Sequence, residues 1–219
     1  MVKKIARNFI FISLVFFILG CVEGLVYPTK HLFKSFYSAA VFVPPGQLTP
    51  FLKDFFSKIH THISLIGWVS SALMGILYFI APQIRGEERF SKWICNTNFW
   101  LHFSGIVVLC IGWNVIGSAG LGAGLKHGTP EFTKAVSIYK PLIWSGGGAI
   151  LISALLFSYN IIFRCLCLSV KQTAQAQEAE VQKQVRSGSK YPKNFCPGTL
   201  IKNLLTFIYP CYLSHIHKA

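Results

Sequence analysis

The sequence predicts an all-α integral membrane protein, with four transmembrane helices in a bundle and a C-terminal amphipathic segment. Three observations carry that expectation. Of 219 residues, 53% are hydrophobic and only 13% are charged, which departs in both directions from an ordinary soluble domain. Phe alone contributes 19 residues. Four windows, roughly 9–27, 62–81, 99–121 and 141–163, stay apolar over about the 20 residues that a hydrocarbon core requires. Residues 1–167 are therefore expected to form one transmembrane domain, and residues 168–219 a basic cytoplasmic tail.

The first window follows Lys3, Lys4 and Arg7. Its Ile18-Leu19-Gly20-Cys21 resembles a bacterial lipoprotein signal, in which Cys21 would be lipidated after cleavage. Leu19 is a poor residue at its position, and the apolar run continues through Leu25 and Val26, so the segment reads as an uncleaved anchor. Glu23 is the only acid in this window. It has three readings: a proton-handling carboxylate, a counter-ion to His60 or His62, or an interfacial acid.

Between the first two windows, Pro28 to Ile59 reads as a long loop. Its apolar stretch 36–43 ends at Pro44-Pro45-Gly46 and is too short to span. It is expected to be re-entrant or surface-lying beside the histidines at the bundle mouth, either as a lid or as a plain surface loop. The third window is rich in small residues, including Gly105, Gly112 and Gly117, which let helices approach closely in lipid. The fourth contains Gly146-Gly147-Gly148. Residues 171–190 are polar with no apolar face, as in a flexible tail. The run 200–213 is shorter than a span and contains Lys202 and Pro210, which suits an interfacial segment.

The net charge of +14 is best explained by basic residues flanking membrane spans, with no role for nucleic acid. With the N-terminus inside, 14 of the 21 Lys and Arg fall on inner segments and 7 on outer loops. That asymmetry places both termini in the cytoplasm and His60 near the outer surface. The seven cysteines include no CxxC pair, and Cys165 and Cys167 lack neighbours that would complete a zinc site. Disulfides are not expected.

The second window opens with His60-Thr61-His62. Residues two apart on a helix point about 200° apart. One metal ion would favour His at i and i+4 on a single face, so this pair suits a helix placed between two flat cofactors, one ligand to each. A pair of interfacial capping histidines is the other reading that spacing allows.

The same run carries a resemblance. His60, His62, Ile66-Gly67-Trp68-Val69, Gly75, Tyr78 and Pro82 resemble the tenth helix of the catalytic subunit of heme–copper oxidases. The likeness is to the cytochrome-c-dependent branch that includes the nitric oxide reductases. Phe99-Trp100-Leu101-His102-Phe103-Ser104-Gly105, Gly147-Gly148 and Tyr159-Asn160 resemble the last two helices of that subunit, in family order. The resemblance implies that His60 binds the iron of a high-spin heme and His62 that of a low-spin heme, with heme b as the cofactor. It also implies a bacterial inner membrane, a respiratory role, and the lipid bilayer, a second copy or other respiratory membrane subunits as partners.

The pattern is incomplete. The seven histidines are 31, 60, 62, 102, 127, 215 and 217, and none forms the family's copper motif. No copper is expected, and the chain alone is not expected to reduce dioxygen or nitric oxide. His102 is expected on the order of 20 Å in depth from His60, as a packing residue bonded to nearby backbone. His215 and His217 form a second HxH on the tail, with no heme wall. The leading expectation is a heme-b-binding membrane protein in electron transfer or respiratory-chain function. The alternatives are an accessory protein that kept the fold without heme, or an oxidase component completed by another chain.

Overall fold

The computed structural model describes residues 2–85 and 90–167, all within one compact unit that runs from Met1 to Lys171. The tail, the segment 200–213 and the histidine pair 215/217 lie outside the described residues. Every described element is helical. Helix α1 spans Val2–Thr29 and α2 spans Lys34–Ala40. Helix α3 is a continuous rod over Pro45–Gln83, α4 spans Lys92–Gly122, α5 spans Pro130–Ala135, and α6 spans Ser137–Phe163.

Helices α1, α3, α4 and α6 are each long and apolar enough to cross a membrane. The protein is an integral membrane protein. Lipid offers no partners for backbone polar groups, so a spanning segment must satisfy them within itself, as a helix does. The outward faces agree with that solvent: Phe11, Leu25, Leu65, Leu73, Leu151 and Leu155 are all more than half exposed.

The largest difference from the sequence expectation is the segment before His60. It is helix, not loop. Leu48, Phe51, Leu52, Phe55, Ile59 and Ile63 are all buried and recur at helical spacing. Lys53, Asp54 and Lys58 fall on the other positions and break the apolar window. At 1.5 Å per residue the 39-residue rod is about 58 Å long, well beyond a hydrocarbon core. The histidine pair therefore lies within the rod and not at its mouth. Two stretches of α3, Leu52–Phe56 and His62–Ser70, are wound as π-helix. Such widened turns concentrate at functional sites.

Helix α2 falls on the expected apolar stretch and is mostly exposed, as in Phe36. Ser38 bonds to the Val43 carbonyl, and the Ser118 hydroxyl donates to Val41 O at 2.7 Å. These bonds tie the segment to the end of α4, and none of its described hydrogen bonds reaches His60 or His62.

Helices α4 and α6 pack along most of their lengths, while α1 packs on the C-terminal part of α3. Gly105 and Gly146 set the α4–α6 spacing. A Cβ on Gly146 would lie 2.6 Å from the Leu109 amide nitrogen and 2.8 Å from the Gly105 carbonyl oxygen. A buried polar set also joins the helices. Asn98 Nδ2 donates to the Ser153 carbonyl and hydroxyl, both at 2.8 Å, and Tyr78 Oη donates to Asn98 Oδ1 at 3.2 Å. Asn98, Ser153 and Tyr78 are fully buried.

Gly146→Val is expected to destabilise the protein by about 1–3 kcal/mol, the usual cost of forcing methyl groups into a closed contact. Gly147→Val meets open space and is expected to change stability much less. Unfolding of both variants in mixed micelles measures the difference.

Candidate functional site

The histidine pair divides two faces of α3. His60 heads the buried face, followed at helical spacing by Ile63, Gly67, Ser71, Met74 and Tyr78, all buried. His62 heads the other face, followed by Leu65, Val69, Leu73 and Ile76, all exposed. The opposed directions follow from the helical turn, and the difference in environment follows from α1, which covers only the first face.

Helix α1 presents Phe16, Gly20, Gly24 and Tyr27 to that buried face. A Cβ on Gly67 would stand 2.7 Å from the Phe16 ring, and one on Gly20 would stand 3.1 Å from Ser64 Oγ. One on Gly24 would stand 3.9 Å from His60 Cε1. Further along, Gly75 faces Ile10 and the Ala6 carbonyl. The glycines of the Ile66-Gly67-Trp68-Val69 and Gly75 motif are thus the points at which α1 closes on α3.

His60 Nδ1 lies 3.5 Å from Glu23 Oε2, and the Tyr27 ring meets the imidazole edge-on with centroids 6.5 Å apart. The contact is long for a hydrogen bond, and both atoms are buried without another partner. Of the partners the sequence offered to Glu23, the structure places His60 beside it.

His62 is held differently. Its Nδ1 lies 2.6 Å from the Lys58 carbonyl oxygen, one turn back. A carbonyl can only accept, so Nδ1 carries a proton, and in the neutral ring the lone pair is then on Nε2. That tautomer is the one a metal-ligating imidazole uses when its other nitrogen is tied to backbone.

These observations test whether the residues fit heme. On the His62 side they do. The free Nε2, the fixed ring and the apolar wall of Leu65 and Val69 suit an axial ligand beside a flat macrocycle. On the His60 side, Nδ1 is turned toward Glu23, 3.5 Å away, and the Tyr27 ring packs edge-on against the imidazole, so that nitrogen is not open to an iron. The described residues contain no group of three or more His, Cys, Asp or Glu arranged to hold a metal ion.

His102 is buried in α4, with Nε2 at 3.2 Å from the Ile66 carbonyl and 3.1 Å from Ser71 Oγ. It supports the end of the π-helical stretch, where the Ser71 amide turns to Trp68 O. This is the expected packing role, at a different depth. His102 is level with Ile66–Ser71, about 9–16 Å along α3 from His60, still too far to share one iron. His127 pairs with Asp54 at 3.1 Å, joining the α4–α5 connection to α3. Nothing in the spacing of Asp54 and His127 along the sequence marks this pair, since Asp54 reads there as part of a long loop.

The family model described as cytochrome C and quinol oxidase polypeptide I matches residues 4–177. A cytochrome c oxidase subunit 1 homolog of Agrobacterium tumefaciens is 28% identical over 119 residues, covering 49% of this chain and 22% of the relative. The bacteroid homolog of Bradyrhizobium diazoefficiens is 28% identical over 138 residues, covering 58% and 23%. A subunit of the cbb3-type cytochrome c oxidase of Stutzerimonas stutzeri is 38% identical over 50 residues, covering 22% and 10%. The chain thus spans less than a quarter of the length of each. No solved structure matches it.

The Glu23–His60 contact predicts a measurable coupling between α1 and α3. A double-mutant cycle with Glu23→Gln and His60→Gln is expected to give about 0.6 kcal/mol, the mean for polar interhelical contacts in a bilayer. The same cycle with Glu23→Gln and His62→Gln is expected to give none.

Proposed function

The chain belongs to the cytochrome c and quinol oxidase polypeptide I family, and from that premise we propose that it binds heme b through its histidine pair and serves electron transfer or the respiratory chain. The observation that carries this reading is the His62 imidazole, with Nδ1 fixed by the Lys58 carbonyl and Nε2 free on an open apolar face. A bound heme would supply one-electron chemistry at its iron. The chain's own contribution is orientation and dryness. Lys58 sets the tautomer and ring angle of His62, and Leu65 and Val69 exclude water below it. His60 is the ligand for a second heme in this reading, through the ring nitrogen that Glu23 does not face.

A second reading has its own support. The His62 face is exposed over Leu65, Val69, Leu73 and Ile76, which suits an oxidase component whose missing ligands come from another chain. Copper in a complex purified with its partners supports that reading; heme in the purified chain alone supports the first.

Heme content is the direct test. The full chain, expressed with ample heme, is expected to show a Soret band that His62→Ala reduces by at least half. His60→Ala is expected to reduce it less, because His60 is engaged by Glu23. A colourless wild-type protein overturns the reading in favour of an accessory role.

We further propose an inner bacterial membrane with both termini in the cytoplasm, from the basic asymmetry of the sequence. Reporter fusions after Lys126 and after Lys190 are expected to report outside and inside respectively. The reverse pattern would invert the topology.

A further inference from the structure

A cavity of about 290 Å³ lies beside the C-terminal end of α4, away from the histidine pair. Its apolar walls include Phe55 of α3, Trp113 of α4, Phe132 of α5 and Ile143 of α6, and Lys140 and His127 also line it. We propose that this cavity binds an anionic phospholipid, with one acyl chain in the apolar space and the phosphate on Lys140.

Four observations support the assignment. The walls are mainly hydrocarbon and aromatic, which suits a chain and gives a polar ligand little to bind. The volume equals on the order of ten water-sized groups, enough for a segment of one acyl chain. Lys140 begins the regular α-helical part of α6, and Trp144, one turn on, also lines the cavity and is 74% exposed. Trp at such positions marks the headgroup level of a membrane, so Lys140 lies where lipid phosphates lie.

The charges point the same way. His127 is already paired with Asp54 at 3.1 Å, and Lys58 lies over the Trp113 ring at 4.3 Å. Lys140 has no carboxylate within ion-pair distance among the described residues and is left to attract an anion.

Native mass spectrometry of the delipidated full chain in detergent tests the site, using phosphatidylglycerol, phosphatidylcholine with the same acyl chains, and free glycerol phosphate. Phosphatidylglycerol is expected to bind about fivefold more tightly than phosphatidylcholine, the effect of one lysine near a lipid phosphate. Lys140→Gln is expected to remove that preference. Thr133→Trp, which places an indole at the cavity lining, is expected to weaken both lipids. Lys134→Gln, at an exposed lysine outside the cavity, is expected to change neither. Equal binding of phosphatidylglycerol to wild type, Lys140→Gln and Thr133→Trp would overturn the proposal. So would glycerol phosphate binding as tightly as the lipid, which would reduce the site to a headgroup contact.

Discussion

The seating of α1 on one face of α3 is the contact on which the rest of the site depends. It is made through small residues. Gly67 receives the Phe16 ring, Gly20 receives Ser64, and Gly75 admits Ile10 and the Ala6 carbonyl. In a bilayer, helices gain nothing from leaving lipid for another apolar surface, so close van der Waals contact has to drive association. A side chain at Gly67 or Gly75 would separate the helices, whereas at Gly20 the Ser64 side chain has to give by only a few tenths of an ångström. Because α1 covers one face only, two histidines two residues apart acquire different chemistry. His60 is placed against a carboxylate and a tyrosine, while His62 keeps a free nitrogen on an open surface.

A second constraint acts within α3. The stretch His62–Ser70 is π-helical, and its altered ladder is supported from α4. His102 Nε2 reaches both the Ile66 carbonyl and the Ser71 hydroxyl. Irregular backbone at membrane depth survives only where protein groups satisfy it. His102 thus serves the site by holding the helix that carries the histidine pair, although it lies too far along α3 to be a ligand. Below it, Asn98, Ser153 and Tyr78 fix α4 against α6 and α3. The Gly75 and Tyr78 positions of the motif have structural explanations that hold with or without a cofactor.

The sequence made some of this legible and hid the rest for physical reasons. Long apolar windows show themselves by composition, so the helical, membrane-spanning class could be read directly. The opposition of His60 and His62 followed from the helical turn. The N-terminal third of α3 did not, because Lys53, Asp54 and Lys58 lowered its hydropathy while Phe51, Phe55 and Ile59 kept an amphipathic spacing that a window average erases. Which face of α3 meets α1 was also hidden. Lipid and neighbouring helices are equally apolar, so a span lacks the polar face that orients a soluble helix. Small residues in α4 indicated close packing, but Gly146 as the partner of Gly105 emerged only from the structure. The Asp54–His127 pair was invisible while Asp54 was assigned to a loop.

Everything above requires α1 to lie directly against the His60 face of α3. Disulfide trapping in native membranes tests it most directly, with Gly20→Cys and Ser64→Cys introduced into a chain whose own cysteines have been replaced. A Cβ on Gly20 stands 3.1 Å from Ser64 Oγ, within disulfide reach. Rapid, near-complete cross-linking is expected for this pair, and none for Gly20→Cys with Leu65→Cys, on the open face. Cross-linking to Leu65→Cys, or none to Ser64→Cys under the same oxidation, would contradict it.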